Sequence, residues 1–488
     1  MPASEILERI DRLVSEIAEH APEPFHEQLL VLAKRLREPA RVAVVGRVKA
    51  GKSTLVNALL GQRVAPTDVS ECTRLVTWYR YGQPQRVVLN LRDGTSCETM
   101  LSVDGMLPSE LPVVPELVSS IDVFLANDAL RGMTLIDTPG IGSVNPEFSA
   151  ATEEFLAESK ASAKATAVAD AVIFMLNTVV MQDELDVLKA LRGERDGSAV
   201  NAIGVLGRAD QLGDGTRDPW LVALELADRF AGTLRNDVAA VVPVVGIIAE
   251  CCEAALLTER DARALAQLAA MDPKSFAKLA WSADRFTTAE APVDEQVRVR
   301  LLGLLDLYGI NRAVAALRDG TTGAVGLRRN LSGVSGIAEV KRTLGAYFRD
   351  QDHVLKARSA LEQLRKMGFA DGPDGRTAVP GLLAKVEELQ LDPLLHPLLE
   401  LETLHDLCTG RVALPDELDD ELRRLLAPSS AAVRLGAETD DPVVLRTRAA
   451  DMLGAWREFL VTEASPPQAR VARVALRSLQ LLWEKVGP

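Results

Sequence analysis

The chain has 488 residues, 47% of them hydrophobic and 25% charged, and a net charge of −14. One hydrophobic core does not fill that length, so roughly two to four domains are expected. The acidic balance excludes a general basic surface for nucleic acid and argues against holding anionic lipid by charge alone, although a local basic patch stays open.

In chain order, MPASEILERIDRL carries acidic residues and no unbroken apolar stretch, so a signal peptide is not expected. Ile6, Ile10, Leu13 and Ile17 instead recur at helical spacing, until Pro22 and Pro24 interrupt. Leu29, Leu30, Leu32 and Leu36 mark a second helix, and Pro39 stops it. From residue 41 the pattern changes: RVAVVG reads as a buried strand and KSTLVNALLG as a helix closed by Gly61. Further strands are predicted at 75–81, 86–91, 133–138, 171–177, 201–207 and 240–246, with helices at 150–166, 182–192 and 219–234 between several of them. Such alternation predicts an α/β domain with a largely parallel sheet. The stretch 85–101 reads as an antiparallel excursion at its edge.

After about residue 252 only helix signals remain, at 253–270, 273–283, 294–317, 336–367, 378–391, 394–408, 414–426, 443–463 and 467–486. The expected division is an N-terminal helical pair over 1–39, packed with the C-terminal helices, an α/β domain over 40–290, and a helical region over 291–488. No run of 18 apolar residues occurs, so no transmembrane helix is expected and any lipid contact would be peripheral. The leucine-rich segment 377–404, broken by Pro380, Pro393 and Pro397, is the candidate lipid-facing tip, within 368–400. Leucines at that spacing normally pack a helical core, which is the stronger reading, and His396 suits a surface or core position better than a ligand role. The cysteines, Cys72, Cys97, Cys251, Cys252 and Cys408, lack metal-ligand spacing and fit a reducing cytoplasm.

Four short motifs carry the chemistry. Gly46-Arg-Val-Lys-Ala-Gly51-Lys52-Ser53 fits G-x-x-x-x-G-K-[ST] between a predicted strand and a predicted helix. Its main-chain amides can cradle phosphate, Lys52 can reach the β- and γ-phosphates, and the Ser53 hydroxyl can bind Mg²⁺. The expected phosphate-holding set is Gly46, Lys49, Ala50, Gly51, Lys52, Ser53 and Thr54. Asp137-Thr-Pro-Gly140 ends the strand MTLI; Asp137 can hold Mg²⁺ through water, and the Gly140 N–H can meet the γ-phosphate. Thr73, in APTDVSECTR, is the candidate magnesium-binding switch threonine, with Thr67 as its competitor. Gly207-Arg-Ala-Asp210 ends a later strand; Asp210 can accept from guanine N1–H and N2–H₂, which adenine cannot offer. Arg208 can stack over the base. Against the usual N-K-x-D, Gly207 stands in place of Asn, which removes a side-chain tie to the phosphate loop. Gly246, in PVVG, is a candidate base-edge residue.

The stretch KAGKSTLVNALLGQRVAPTDVSECTRLVTWYRYG, with the D-T-P-G and R-A-D elements in order, resembles the dynamin superfamily, and specifically the bacterial dynamin-like proteins of the actinobacterial isoniazid-inducible type. The resemblance covers roughly residues 40–250 closely, and the rest in layout. It implies an α/β GTPase domain with a phosphate-binding loop and mostly parallel sheet, plus a long all-α neck or trunk. It also implies GTP and Mg²⁺ as ligands, self-association through GTPase domains, and membrane association. It assigns Thr73 to the magnesium switch. Lys49 stands where eukaryotic dynamins carry a serine that helps hold a monovalent cation; its ammonium could replace that cation, or could be solvated or paired across a dimer. Lys49, Lys52, Thr73 and Gly140 are therefore the expected catalytic set. Ile141 follows Gly140 where a Ras-like switch has glutamine, so hydrolysis is expected to be slow until two GTPase domains meet. The expected location is cytoplasmic, peripheral at the inner face of the plasma membrane. The competing readings are a soluble GTPase switch whose helices bind a protein partner, and an ATPase or unselective NTPase.

Overall fold

The computed structural model describes residues 2–23, 25–66, 75–108, 110–140, 169–177, 202–213, 216–234, 237–345, 352–369, 379, 381–390, 395–408, 410–427 and 429–486. Two compact units divide them: one gathers Met1–Ala40 with Gly345–Pro488, and the other is built from Arg41–Glu194 and Ala202–Leu344.

In the first unit, α1 (Pro2–Ala18) and α2 (Phe25–Arg37) lie beside the helix Asp352–Phe369. Lys356 Nζ donates to the Glu38 carbonyl at 2.5 Å, and Arg37 pairs with Asp11 at 2.8 Å. Farther along the chain, Trp456 is fully buried among Leu422, Leu425, Leu479 and Ala449, and its indole N–H donates to Glu421 at 2.8 Å. Of the candidate tip, 370–378, 380 and 391–394 lie outside the described residues, whereas Leu382, Val386, Leu395 and His396 are buried. His396 Nε2 sits 2.9 Å from Ser478 Oγ, and burial holds its imidazole below the usual histidine range. A core histidine is what results. No helix among the described residues is long and apolar enough to cross a membrane.

The second unit carries a nine-stranded sheet in the order β4-β3-β5-β2-β6-β1-β7-β8-β9. Its elements are β1 (Ala40–Gly46), α3 (Lys52–Leu60), β2 (Thr77–Tyr81), β3 (Arg86–Leu91), β4 (Ser96–Thr99), β5 (Val118–Leu125), β6 (Met133–Asp137), β7 (Ala171–Leu176), β8 (Ala202–Leu206) and β9 (Val241–Pro243). β1 pairs in parallel with β7, β7 with β8, β8 with β9, and β2 with β5. Three recorded pairings are antiparallel: β3 with β4, β3 with β5, and β6 with β2. The sheet is thus mostly parallel, as its apolar runs predict. AVIFML of β7 is buried along its whole length, as a strand covered on both faces must be. Ala43, Val45, Phe174 and Leu176 share one core.

The parallel register places the carboxyl ends of β1, β7, β8 and β9 along one edge, with Gly46 opposite Met175 and Leu206 opposite Pro243. Ligands of open α/β sheets bind at that edge. β6 lies next to β1 and ends there in Asp137.

Three differences from the sequence reading matter for the site. β5 was not anticipated; it lies between β3 and β2 and ties the antiparallel excursion into the sheet. The segment after β9 turns at once into the helix Gly246–Glu253. The unit also runs to Leu344, past the expected boundary at 290. The reason is packing: Leu301, Leu305 and Ile310 of the helix Glu295–Arg318 share one core with Leu206, Ala209 and Ile248. The helices expected at 150–166 and 182–192 lie outside the described residues.

Candidate functional site

β1 delivers the chain to Gly46, and α3 begins at Lys52. Gly51, at the N-cap of α3, has φ 91°, a left-handed conformation that favours glycine. No side chain caps this helix, so its first amides face the loop with the positive end of the helix dipole behind them. Lys52 is buried, and its ammonium donates to the carbonyls of Gly46 at 3.3 Å and Arg47 at 3.1 Å. The loop is thereby wrapped around its own cation.

Asp137 reaches the same place from β6. Ser53 Oγ donates to Asp137 Oδ2 at 2.9 Å. The other oxygen, Oδ1, is shielded from water and has no hydrogen-bond partner among the described residues. Burial raises the Asp137 pKa, while the Lys52 charge and the Ser53 hydrogen bond pull it down. A hydroxyl and a carboxylate with one buried oxygen to spare make a hard oxygen donor set, which suits Mg²⁺ when phosphate oxygens complete it. Thr138, one residue on, is locked by Oγ1 donating to the Val44 carbonyl at 2.8 Å. Gly140 then presses on the phosphate loop: a Cβ there would fall 2.7 Å from Val48 Cα and 2.8 Å from Val48 N. Only a residue without a side chain passes so close. Thr73 and Thr67 lie outside the described residues.

β8 supplies the base end. Arg208 and Lys49 are both left-handed, at φ 53° and 62°. Arg208 Nη2 donates to the Lys49 carbonyl at 2.5 Å. This contact corrects one expectation. The tie between base loop and phosphate loop is present, and it runs through the arginine guanidinium rather than through a side chain at 207. Position 207 has no room for one, because a Cβ there would sit 2.9 Å from the Ala50 carbonyl oxygen. Asp210 follows on a short 3₁₀ turn, Ala209–Gln211. Burial is the main cause that raises its carboxyl pKa, and the neighbouring Asp306 charge adds to the rise.

These pieces border one cavity of about 530 Å³, lined by Lys49, Ala50, Gly51 and Thr54 of the phosphate loop and α3 and by Arg208, Asp210 and Gly246 from the segments after β8 and β9. Gly246 packs toward the α3 side chain Thr54, 3.4 Å from where a Cβ would lie. Among the described residues no cluster of three or more His, Cys, Asp or Glu side chains could hold a metal by itself.

Several cavity residues were not legible beforehand. Arg63 and Glu250 form a two-pronged pair, with Arg63 Nε to Oε1 and Nη2 to Oε2 both at 3.0 Å. Glu250 Oε1 also accepts from the fully buried Asn57 at 2.8 Å, and Asn57 Oδ1 takes the amides of Val64 and Ala65 at 3.0 and 2.8 Å. The network fixes the segment after α3 against the helix Gly246–Glu253. Its partners lie 187 and 193 residues apart, so no local pattern announces it. Glu250→Ala would strand Asn57 and Arg63. The expected cost is about 2–3 kcal/mol, read as a lower urea midpoint with an unchanged slope. Burial pushes the thiols of Cys251 and Cys252, on the same helix, up to about 12, which leaves them as packing groups.

A mostly parallel sheet, a phosphate-loop motif closed around a buried lysine, and carboxylates following β6 and β8 together define a P-loop NTPase domain. The model of the dynamin family matches residues 42–208. Over 468 residues the chain is 34% identical to isoniazid-induced protein IniC of Mycobacterium tuberculosis, covering 93% of this chain and 92% of that one. It is 27% identical over 129 residues to a bacterial dynamin-like protein of Nostoc punctiforme, covering 24% of this chain and 19% of that protein. Among solved structures, a chain of an oligomerised bacterial dynamin pair aligns over 98% of this chain and 90% of its own, at 13% identity and a TM-score of 0.36. The chain belongs to the dynamin family, as a bacterial dynamin-like GTPase of the IniC type. It is a GTP-hydrolysing enzyme.

Proposed function

We propose that the protein hydrolyses GTP with Mg²⁺ at this cavity, and that hydrolysis accompanies self-association of GTPase domains and peripheral engagement of a membrane. The observation that carries the reading is the Ser53–Asp137 contact at 2.9 Å beside the buried Lys52 ammonium, at the carboxyl edge of the sheet. Lys52 would exchange its loop carbonyls for the β- and γ-phosphate oxygens. The amides of Lys52 and Ser53, at the start of α3, would hold the β-phosphate. Ser53 and Asp137, with Thr73 as switch threonine, would bind Mg²⁺, which neutralises charge on the β- and γ-phosphates. The Gly140 N–H would meet the γ-phosphate, placed there by its contact with Val48. Arg208 would cover the guanine face, and Asp210 would accept from its N–H edge.

Support for self-association comes from what the site lacks in sequence and what it leaves open. Ile141 offers no base for the attacking water. Val48 and Lys49 stand exposed on the loop rim, where a second domain can reach them. The Lys49 ammonium could then offset charge as the phosphoanhydride breaks. The test is GTP turnover per molecule against protein concentration, with and without anionic liposomes. Turnover should climb about tenfold or more as dimers form, and flotation with a non-hydrolysable GTP analogue should carry protein upward with the liposomes. A flat rate contradicts self-activation, and absence from the floated fraction contradicts the membrane part.

A further inference from the structure

The helix Glu295–Arg318 lines the same cavity as Arg208 and Asp210 through Gly303 and Asp306. It is interrupted there: Asp306 has φ 53° and ψ 176° inside an otherwise helical run. An L-residue with a side chain populates that conformation sparsely, and such outliers persist where the surroundings over-determine them. Both flanks are held. Leu305 and Ile310 are fully buried in the core shared with Leu206 and Ile248. Beyond the break, Tyr308 Oη donates to Asp218 at 3.2 Å, and Arg312 pairs with the same carboxylate at 3.1 Å. The break therefore keeps a half-buried carboxylate at the cavity wall. Asp306 Oδ1 accepts the Leu307 amide at 2.6 Å, which orients the group.

Asp306 and Asp210 line one cavity, and the Asp306 charge adds to the rise in the Asp210 carboxyl pKa that burial causes. Two carboxylates lining one cavity oppose each other unless a ligand brings donors. Guanine brings three N–H bonds on one edge, one on N1 and two on N2. A single carboxylate takes N1–H and one N2–H, and leaves the other N2–H to be met. Adenine presents no donor on that edge.

We propose that Asp306 is a second guanine-reading carboxylate, accepting the N2–H that Asp210 leaves, so that the exocyclic amino group is held from two elements of the fold. This deepens the GTP reading and rests on it. The nucleotide that isolates the effect is ITP, which differs from GTP only in lacking that amino group. An acceptor left unpaired in a partly buried site is the reason such a ligand is rejected.

The experiment is competition of GTP, ITP and ATP against a fluorescent GTP analogue, with Mg²⁺, on the full chain and on Asp306→Gly and Asp306→Ala. Glycine relieves the backbone while removing the carboxylate; alanine removes the acceptor and keeps a Cβ at the break. Thermal melts show whether each variant is folded, and a misfolded glycine variant leaves alanine to decide. The expected result is a drop in the GTP-over-ITP ratio of about tenfold or more, with ITP affinity near that of the parent. A ratio unchanged in the folded variants overturns the proposal, and so does equal weakening of GTP and ITP. No GTP binding by the parent would instead sink the reading of the whole site.

Discussion

Lys52→Ala is expected to lower GTP turnover by at least about 100-fold, in line with removing one preorganised charge from a phosphoryl-transfer site. The structure shows why no neighbour can substitute. The Lys52 ammonium is buried inside the loop it serves, donating to the Gly46 and Arg47 carbonyls at 3.3 and 3.1 Å. Arg47 and Lys49 are not buried with it, and Lys49 turns outward at φ 62°. Removal of the ammonium also strips Asp137 of the charge that most opposes the rise in its pKa. The carboxyl then holds its proton to higher pH and becomes a poorer ligand for a cation. Stopped-time phosphate release on parent and variant, with circular dichroism to confirm folding, checks the result. Equal turnover would remove Lys52 from the chemistry.

The second large effect runs against motif logic. Gly207→Asn restores the residue usual in N-K-x-D, yet it should weaken GTP binding by about tenfold or more rather than strengthen it. A Cβ at 207 would lie 2.9 Å from the Ala50 carbonyl oxygen and 3.1 Å from Met175 Cε. The methionine end can move, whereas the carbonyl belongs to the phosphate loop and cannot yield without shifting Gly51 and Lys52. The same shift would disturb the Arg208–Lys49 contact at 2.5 Å, which already joins the two loops. Overpacking of this kind typically costs about 1–3 kcal/mol, and here the cost falls on the ligand-holding conformation. Isothermal titration with GTP checks it. Tighter binding by the asparagine variant would show that the loops have room to spare.

The parts of this protein that can be read from sequence are those with a short period or a fixed local spacing. β1, β7 and β8 are short, mostly apolar runs followed or closed by Gly46, Asn177 and Gly207, and they pair in parallel. The phosphate loop is legible because its glycines and Lys52 sit within eight residues. β5 belongs with these by its period: VSSIDVFL alternates, with Ile121, Val123 and Leu125 buried and Asp122 taken up by Asn90, so its strand signal is local even though its place between β3 and β2 is not. The Asn57–Glu250–Arg63 network and the approach of Asp306 are long-range facts. Each depends on where the helices Gly246–Glu253 and Glu295–Arg318 pack, which no local pattern states. The same packing moves the unit boundary to Leu344, since an amphipathic helix does not announce which partner buries its apolar face. The Gly207 position shows the limit most clearly. Its departure from the usual asparagine read as a lost tie, and the space around it shows a tie supplied by the next residue.

The most direct test of the account is an equilibrium titration of the full chain with GTP and with ATP, in Mg²⁺ and in EDTA. The predicted result is GTP binding at least about tenfold tighter than ATP, as a carboxylate reading two N–H groups requires, with the GTP affinity falling when Mg²⁺ is chelated. Equal affinity for the two nucleotides, or no affinity for either, would contradict it.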